Sequence, residues 1–405
     1  MELSNRAKNT PESPIRKLFE YGRLAKEKGI NIYHLNIGQP DLLPPDSAFE
    51  YLNSFEKSNI AYGNSHGEMD YLSAVVKYYH NLGHNDLTED NIIATQGGSE
   101  AILWSIIAST NASEEMLVFE PFYTNYHGLA TMAETKLIAV TTKIENGFHL
   151  PKKEEIEKKI SSKTKAIILC NPNNPTGTVY TPQELTMIYK LCQEKDLFLL
   201  VDEVYREFSY DNHKVISMLT IEKENEDNLD NSRVIILDSL SKRYSLCGAR
   251  IGSAVSRNKR IINTMLKFSQ ARLSAAPLTQ QMGAEVISTG DQFIKKMIEE
   301  FSKRRKILID ELHKIKGIKF YEPEGAFYIT AKLPIGNAEK FAKWLLTYFN
   351  HNNKTVMLAP AQGFYLTEGL GKEEVRIAYV LKEEDLKEAI SLLNLAISKW
   401  NLINH

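Results

Sequence analysis

The sequence contains few cysteines, no long apolar run and almost no net charge. The three cysteines, Cys170, Cys192 and Cys247, are too few and too scattered for a disulfide framework or a zinc site. No apolar run approaches the roughly 20 residues that a membrane-spanning helix needs. The formal net charge of -2 argues against nucleic acid or an anionic membrane as the main partner. These shortages predict a protein with no metal centre, no nucleic-acid partner and no membrane anchor.

The N-terminal residues 1–9 are polar and lack the apolar core of a secretory signal peptide. Disulfides are the mark of oxidising compartments, and the cysteine usage here shows no sign of them. We therefore expect a cytoplasmic protein.

The order of apolar patterns along the chain predicts the fold class. Because 405 residues are too many for one small core, about two domains are expected. Up to Gly252, apolar runs of strand length alternate with helical patterns, which indicates an α/β fold with a mostly parallel central sheet. Beyond it, a helix-rich stretch at 258–315 leads into a smaller α+β unit. We predict an N-terminal arm with part of the small domain at 1–45, a large domain at 46–290 and a C-terminal small domain at 291–405.

Local signals predict three further elements. Ser13 followed by Pro14 is typical of a helix start, and this helix is expected to stop near Gly29. A second helix is predicted at 182–195. The polar, acidic stretch at 222–231 is expected to be a solvated loop.

A lysine lies between two predicted strands, at residues 233–237 and 248–255. Burial at Lys242 would lower the pKa of the amine, and a neutral amine can form a Schiff base with a carbonyl. The hydroxyls of Ser239 and Ser241, together with Arg250, would suit a phosphate at the same place. An aldehyde that carries a phosphate is pyridoxal phosphate (PLP). The alternative is an ordinary loop lysine beside a strand.

A second candidate phosphate site follows the predicted strand at 91–95, where Gly97, Gly98 and Ser99 open an apolar helix. Unpaired N–H groups and the positive end of the helix dipole converge at such a helix start. The pattern is neither the dinucleotide fingerprint nor a P-loop. Tight packing of strand against helix is the alternative interpretation.

Polar residues also follow two further predicted strands. The loop at 171–177 combines two prolines with three asparagines, whose amide groups must find partners. Asp202 comes directly after five apolar residues, where a carboxylate is costly to bury without a cationic or donating partner. A protonated pyridine nitrogen would be such a partner, and Tyr205 is near enough to share the site. Alternatively, Asp202 caps a helix.

These features together resemble the class I and II aminotransferases, the fold-type I PLP-dependent enzymes. The resemblance covers nearly the whole chain and rests on several motifs in the family's order. They are Asn36-Ile37-Gly38-Gln39-Pro40-Asp41, the loop at 171–177, Asp202-Glu203-Val204-Tyr205, Ser241-Lys242-x-Tyr244-x-x-x-Gly248-x-Arg250-Ile251-Gly252, and Val375-Arg376-Ile377-Ala378.

The resemblance implies three catalytic residues. Lys242 matches the lysine that holds PLP as a Schiff base and moves the proton. Asp202 matches the carboxylate paired with the pyridine nitrogen, and Tyr205 the tyrosine bonded to the phenolic oxygen of the cofactor. Asn174 matches the asparagine that shares this oxygen and borders the substrate.

The resemblance also implies the remaining contacts. Tyr123 would stack on the cofactor ring, and Tyr62 would reach the phosphate of the neighbouring subunit in a homodimer. Arg376 would grip the substrate α-carboxylate in a bidentate fashion, helped by the backbone N–H of Gly38. The expected phosphate-binding residues are Gly98, Ser99, Ser239, Ser241 and Arg250.

The expected activity is the transfer of an amino group from an L-amino acid to a 2-oxo acid by a ping-pong mechanism. Lyases, decarboxylases and synthases share this fold and cofactor, so they remain alternatives. A PLP-binding regulatory domain is a non-enzymatic alternative, although such regulators typically carry a fused DNA-binding domain and only about 30 residues precede the first strand. The amino-acid donor stays open. Aspartate-specific relatives bind the distal carboxylate with an arginine from the partner subunit, and Arg272 lies in roughly that stretch but does not match its register. A solvated arginine at a helix end is the alternative for Arg272.

Overall fold

The computed structural model describes residues 1–54 and 61–404. Its strands are β1 Asn31–His34, β2 Ile92–Thr95, β3 Glu115–Glu120, β4 Lys136–Thr141, β5 Thr164–Cys170, β6 Phe198–Asp202, β7 Val234–Ser239, β8 Gly252–Val255, β9 Lys319–Phe320, β10 Tyr328–Lys332, β11 Lys354–Met357, β12 Ala359–Pro360 and β13 Glu374–Ala378. Its α-helices are α1 Asn5–Asn9, α2 Phe19–Glu27, α3 Asp46–Ser54, α4 Met69–Asn81, α5 Gly98–Ser109, α6 Asn125–Met132, α7 Lys153–Glu157, α8 Pro182–Lys195, α9 Met218–Asn225, α10 Leu240–Arg243, α11 Lys259–Arg272, α12 Pro277–Thr289, α13 Asp291–Leu312, α14 Ala338–Thr347 and α15 Glu383–Asn404. Short 3-10 helices occupy Glu89–Asn91, Ile144–Asn146, Leu229–Asn231 and Ala361–Phe364.

A seven-stranded sheet forms the larger part of the molecule. Its strand order is β2-β8-β7-β6-β5-β3-β4, and β8 is antiparallel to both of its neighbours while the other pairs are parallel. Every residue of β7 is buried, as expected for a parallel sheet covered by helices on both faces. The α/β class and the mostly parallel sheet that the sequence predicts are therefore confirmed.

Alternate residues of one central strand belong to the two cores on either side of this sheet. Leu199 and Val201 pack in one apolar cluster, whereas Leu200 packs in the other. Since side chains along a strand point alternately to opposite faces, both faces of β6 are buried. Polar groups of β6 that could contact a ligand therefore lie at the carboxyl end of the strand.

A second, smaller set of strands lies beyond this sheet. An antiparallel sheet has the order β12-β13-β10-β9, and β1 pairs in parallel with β11, with Asn31 opposite Lys354. The antiparallel pair of β10 and β13 places Thr330 opposite Arg376. A separate apolar cluster, which includes Phe341 and Leu393, lies between these strands and α13, α14 and α15.

Three local predictions differ from the structure. The strand predicted at 248–255 begins only at Gly252, because Arg250 takes a positive φ of 52° in the preceding turn. The helix predicted from Pro14 begins at Phe19, after two consecutive turns. The stretch at 222–231 is not wholly a solvated loop, since the buried Glu222 carboxylate accepts a 2.8 Å hydrogen bond from Arg257.

Candidate active site

A cavity of about 440 Å³ lies at the carboxyl ends of the central strands. The wall includes Tyr123 after β3, Asn174 after β5, Asp202 at the end of β6 and Ser239 at the end of β7. Ligand sites of open parallel sheets occupy this edge, because the loops that leave the strands diverge there. The smaller set of strands closes the opposite side with Tyr328 and Arg376, and the segment after β1 adds residues 36–39.

Lys242 lies on α10, a short helix between β7 and β8, and its Nζ points into the cavity. The ammonium donates a 2.8 Å hydrogen bond to the carbonyl of Gly38, and the Cys247 Sγ lies 3.7 Å away. Burial lowers the pKa of Lys242, and the positive charges of Arg376 and Arg250 lower it further. A lysine of this kind more readily reaches the neutral form that acts as a nucleophile or base.

The Asp202 carboxylate is buried at the end of β6. Its Oδ2 accepts a 2.7 Å hydrogen bond from the hydroxyl of Tyr126, and Oδ1 accepts a longer one of 3.4 Å from the Val204 N–H. Burial raises the pKa of Asp202 to about 6. No cationic side chain in the described part of the chain bonds to this carboxylate, so a cation that enters the cavity would find an acceptor there.

Tyr205 and Asn174 face each other across the cavity floor. The Tyr205 hydroxyl lies 2.9 Å from the hydroxyl of Tyr328, while the Asn174 amide reaches it only at 3.5 Å. Burial raises the pKa of Tyr205 well above its ordinary value, so the hydroxyl keeps its proton and can donate a hydrogen bond. The two tyrosine hydroxyls and the Asn174 amide are hydrogen-bond donors that lie close together, and an anionic phenolic oxygen would need such donors.

The opposite end of the cavity is built for an anion. Gly98 and Ser99 begin the 12-residue helix α5, whose first N–H groups have no partner within the helix. Gly97 has a φ of 74°, and a Cβ placed there would lie 2.6 Å from an Arg250 nitrogen. Glycine is therefore needed for the Arg250 guanidinium to approach this helix start. The hydroxyls of Ser239 and Ser241 lie 2.9 Å apart beside it.

Arg376 presents its guanidinium from β13 and is only 2% exposed. Nη1 donates to the side-chain oxygen of Asn174 at 3.1 Å, and Nη2 donates to the carbonyl of Asn36 at 2.6 Å. The guanidinium also lies 4.5 Å from the ring centre of Tyr328. The Nε of Arg376 and both amide atoms of Asn36 are buried without a partner among the described residues. Buried polar atoms rarely stay unpaired, so these point to a polar ligand.

The structure brings together every residue that the sequence predicts for this site except Tyr62. Tyr123 lines the cavity, where its hydroxyl accepts a 2.8 Å hydrogen bond from Asn125. Tyr62 is 84% exposed and lies outside the cavity of its own chain, so its role in a neighbouring subunit stays a prediction. Arg272 also lies outside this cavity, 3.2 Å from Glu100 and above the ring of Trp104.

Three residues of the site were missed in the sequence. Tyr126 follows Tyr123 by three residues, and this spacing in the sequence could have indicated it. Tyr328 reaches the cavity only through the pairing of β10 with β13, and no local pattern announces that register. Arg16 lines the cavity from the segment before α2. The sequence pattern predicts that this segment belongs to a helix.

The chemistry of these groups fits PLP. Lys242 offers an amine with a lowered pKa, and Asp202 offers a buried carboxylate that lacks a cation. The start of α5 and Arg250 offer donors for a phosphate. Among the residues the structure describes, no group of three or more histidines, cysteines or acidic residues is placed to hold a metal ion. In the same part of the chain, no helix is both long and apolar enough to cross a membrane.

Comparison with known proteins decides the family. The profile described as "Aminotransferase class I and II" matches residues 30–393. The chain belongs to the class I and II aminotransferases. It is therefore a PLP-dependent enzyme that transfers amino groups between amino acids and 2-oxo acids, as the sequence predicted.

Individual relatives agree with this assignment. The aspartate aminotransferase of Sulfurisphaera tokodaii is 31% identical over 378 residues, which span 91% of this chain and 90% of the relative. The aromatic-amino-acid aminotransferase 2 of Thermococcus litoralis is 29% identical and covers both chains fully. The crystal structure of aspartate aminotransferase from Thermotoga maritima superposes with a TM-score of 0.88 at 25% identity, over 98% of this chain and 100% of that one. Since these relatives are named for different amino acids, the family does not fix the donor of this aminotransferase.

Proposed function

We propose that this aminotransferase binds PLP in the cavity around Lys242 and acts there on free L-amino acids and 2-oxo acids. The observation that carries the assignment is the meeting of Lys242, Asp202 and Arg376 in one cavity wall. When bound, PLP supplies the carbonyl that takes up the amino group and a ring that accepts electrons from the substrate Cα. The chain supplies the base, the charged groups that pair with cofactor and substrate, and the contacts that orient both.

Lys242 is the proposed anchor of the cofactor and the base at the substrate Cα. Its lowered pKa favours the neutral amine, which can accept the Cα proton. Asp202 is proposed to bond to the ring nitrogen and to hold a proton on it, with Tyr126 fixing the carboxylate from the other side. Tyr205 and Asn174 then face the phenolic oxygen.

Arg376 is proposed to bind the substrate α-carboxylate. Two of its nitrogens are held by Asn174 and Asn36, and the flanking ring of Tyr328 fixes the plane of the guanidinium. A Cβ at position 38 would lie 1.8 Å from the Tyr328 hydroxyl, so only glycine lets the backbone there lie against Tyr328. Binding through the α-carboxylate suits any free amino acid, since all of them share that group.

Replacing Arg376 by lysine tests this assignment across substrates. We expect Arg376→Lys to raise the KM of every reactive donor by roughly ten- to a hundredfold, because one charged hydrogen bond of the bidentate pair is lost. The measurement is a panel of twenty amino acids with 2-oxoglutarate as acceptor, for the wild type and the variant. An effect confined to acidic donors would instead assign Arg376 to a side-chain carboxylate. Failure of all donors in the wild type would favour a lyase or synthase.

We further propose that the working unit is a homodimer. Large apolar side chains are exposed at Leu43, Phe49, Leu52, Tyr62, Met69 and Leu273. The helices α3 and α4, which carry Phe49, Leu52 and Met69, both pack against α12. The Ser65 hydroxyl donates to the carbonyl of Leu273 at 2.5 Å, which ties the Tyr62 loop to the end of α11. An exposed apolar patch of this kind is typical of a subunit interface.

A mixed-dimer experiment tests whether Tyr62 completes the site of the neighbouring subunit. Lys242→Ala and Tyr62→Arg are each expected to be inactive alone. In a mixed dimer one site carries both defects and the other carries neither, so random reassortment should restore about a quarter of wild-type activity. Activity that stays at zero, with mixed dimers confirmed by mass, would place Tyr62 outside the neighbouring site.

The division at 1–45, 46–290 and 291–405 remains our proposal for the domains. The pairing of β1 with β11 supports the assignment of the N-terminal arm to the small domain. The proposed compartment is the cytoplasm. Its support is that all three cysteines are free, with Cys170 and Cys192 buried as thiols.

A further inference from the structure

A network of buried charges lies outside the wall of the cavity, next to the ends of β6 and β7. Its members are Glu203, Arg206, Glu207, Asp238 and Arg243, and none of their side chains is more than 11% exposed. None of the five belongs to the described lining of the cavity. Three carboxylates and two guanidiniums are costly to bury together, and the function proposed above does not by itself call for them.

Four members of this network are the chain neighbours of residues that line the cavity. The pairs are Asp202 with Glu203, Tyr205 with Arg206, Asp238 with Ser239, and Lys242 with Arg243. Adjacent residues share a peptide bond, so contacts within the network also fix the backbone from which the residues of the site extend. The network is therefore placed to set the position of those residues without touching a ligand.

The Asp238 carboxylate binds the chain on both sides of Lys242. Its Oδ1 accepts a 2.8 Å hydrogen bond from the Ser239 N–H, and Nη2 of Arg243 donates to Oδ1 at 2.6 Å and to Oδ2 at 2.8 Å. Ser239 caps the start of α10, and Arg243 is its last residue. A helix of four residues has few hydrogen bonds of its own, because the first N–H groups of any helix lack partners within it. One carboxylate thus ties together the two ends of the element that carries Lys242.

Further contacts hold the two members of this pair. The Nε of Arg243 lies 2.9 Å from Oε1 of Glu207, and its guanidinium lies 4.1 Å from the ring centre of Tyr78. Nη1 of Arg206 lies 3.6 Å from Oδ2 of Asp238. Burial alone would raise the pKa of Asp238, but the charges of Arg243 and Arg206 lower it below its ordinary value. The carboxylate therefore stays ionised and keeps its hold on both ends of α10.

We propose that Arg243 and Asp238 are positioning residues for Lys242, and that their ion pair orients α10 so that the Lys242 amine reaches both the cofactor and the substrate Cα. The proposal rests on the function proposed above, in which Lys242 holds PLP. The planar guanidinium of Arg243 reaches Asp238 and Glu207 at the same time, which the single ammonium of a lysine cannot reproduce. A change at Arg243 should therefore move the amine without altering any group that contacts a ligand.

The test compares Arg243→Lys with the control Arg257→Lys. Arg257 is also buried between two carboxylates, with Glu222 at 2.8 Å and Asp86 at 2.5 Å, and it does not line the cavity. Both variants keep the charge and lose the planar fork, so urea unfolding should show a loss of stability in both. A merely structural role of Arg243 would make the two variants behave alike in every other measurement.

Two rates report on the position of the Lys242 amine. In the first, protein freed of its cofactor is mixed with PLP, the amine condenses with the aldehyde and releases water, and borohydride reduces the new C=N bond. Peptide mapping by mass then counts the adduct on Lys242 as a function of time. In the second, single turnovers of the holoenzyme with the donor that reacts best among the twenty amino acids give kcat and KM.

We expect Arg243→Lys to lower both the rate of adduct formation and kcat by roughly ten- to a hundredfold, the usual effect of a small misplacement of a reacting group. KM should stay unchanged, since the partners of Arg376 are Asn174 and Asn36, outside the network. Arg257→Lys should keep both wild-type rates. The double variant Arg243→Gln/Asp238→Asn leaves neither charge of the pair buried alone. It should show the same losses and covers the case in which Arg243→Lys does not fold.

Wild-type rates in a folded variant at Arg243, an equal loss of rate in Arg257→Lys, or a change in KM alone would overturn the proposal. If PLP does not attach to Lys242 in the wild type, the proposed function fails. The rate at which formaldehyde and cyanoborohydride methylate Lys242 then decides the role of Arg243. This rate should be lower in Arg243→Lys than in the wild type and in Arg257→Lys, and equal rates would refute the positioning role.

Discussion

Lys242→Ala is expected to lower the rate of amino-group transfer by about four orders of magnitude. Lys242 contributes the only lysine amine to the described cavity wall, and no histidine joins it there. The Asp202 carboxylate already accepts a hydrogen bond from the Tyr126 hydroxyl and faces the proposed position of the ring nitrogen. Among the described wall residues no second amine or imidazole is placed to take over the Cα proton, so the loss should lie in kcat and not in substrate binding.

Single-turnover rates of the holoenzyme measure this loss, with Lys340→Ala as the control because Lys340 is exposed on α14. Borohydride reduction followed by peptide mapping should place the cofactor of the wild type on Lys242. A circular dichroism spectrum equal to that of the wild type shows that the variant is folded. A reduced adduct on a different lysine, or activity within roughly tenfold of the wild type, would end the assignment.

The sequence predicts those elements whose ends carry their own local signals. The helix predicted at 182–195 matches α8 residue for residue, because Pro182 begins it and Thr181 and Glu184 cap each other's backbone N–H groups. The predicted start of a helix at Pro14 is wrong, whereas its predicted end near Gly29 agrees with α2, which ends at Glu27. Ile15 packs on one apolar cluster and Leu18 is buried in another, so tertiary contacts shape the turns that precede α2.

The sequence predicts those site residues that lie at the ends of strands of the parallel sheet. Asp202, Ser239 and Asn174 all stand at or just after strands, and the carboxyl ends of neighbouring parallel strands meet at one edge. Tyr328 enters from an antiparallel strand 89 residues beyond Ser239, so its position depends on a register that pattern alone does not give.

An acidic stretch of sequence can likewise contain a residue whose partner lies far along the chain. The acidic stretch at 222–231 has the composition of a surface loop, yet Glu222 is buried against Arg257 and the Ser232 hydroxyl. A buried carboxylate of this kind is stable only because the guanidinium lies opposite it. The sequence shows both charges and does not show that they meet.

Asp202→Asn is expected to slow amino-group transfer by roughly a hundred- to a thousandfold, the usual effect of removing one preorganised charge partner. An amide has nearly the shape of the carboxylate and can still accept the Tyr126 hydrogen bond. It carries no negative charge with which to hold a proton on the ring nitrogen. The loss should therefore appear in single-turnover rates for every donor, with Asp310→Asn, an exposed residue of α13, as the control.

The same substitution should stabilise the protein without its cofactor. Burial raises the pKa of Asp202 to about 6, from the ordinary value of 3.8 for an aspartate. Between these two values the unfolded chain has released the proton while the folded chain retains it, so the wild type loses stability as the pH rises through this window. The asparagine variant has no such loss. Its advantage in the free energy of unfolding should be near zero at pH 4 and grow to about 3 kcal/mol above pH 6.

Urea unfolding of the cofactor-free wild type and variant at pH 4 and pH 7 measures this difference. Bound cofactor should reverse the order of stability at pH 7, because the protonated ring nitrogen would then supply the cation that the buried carboxylate lacks. A variant that is no more stable than the wild type at pH 7 and keeps its turnover would reduce Asp202 to a capping residue at the end of β6. Opposite signs with and without cofactor would instead show that the cost of burying this charge is offset only when the ligand is bound.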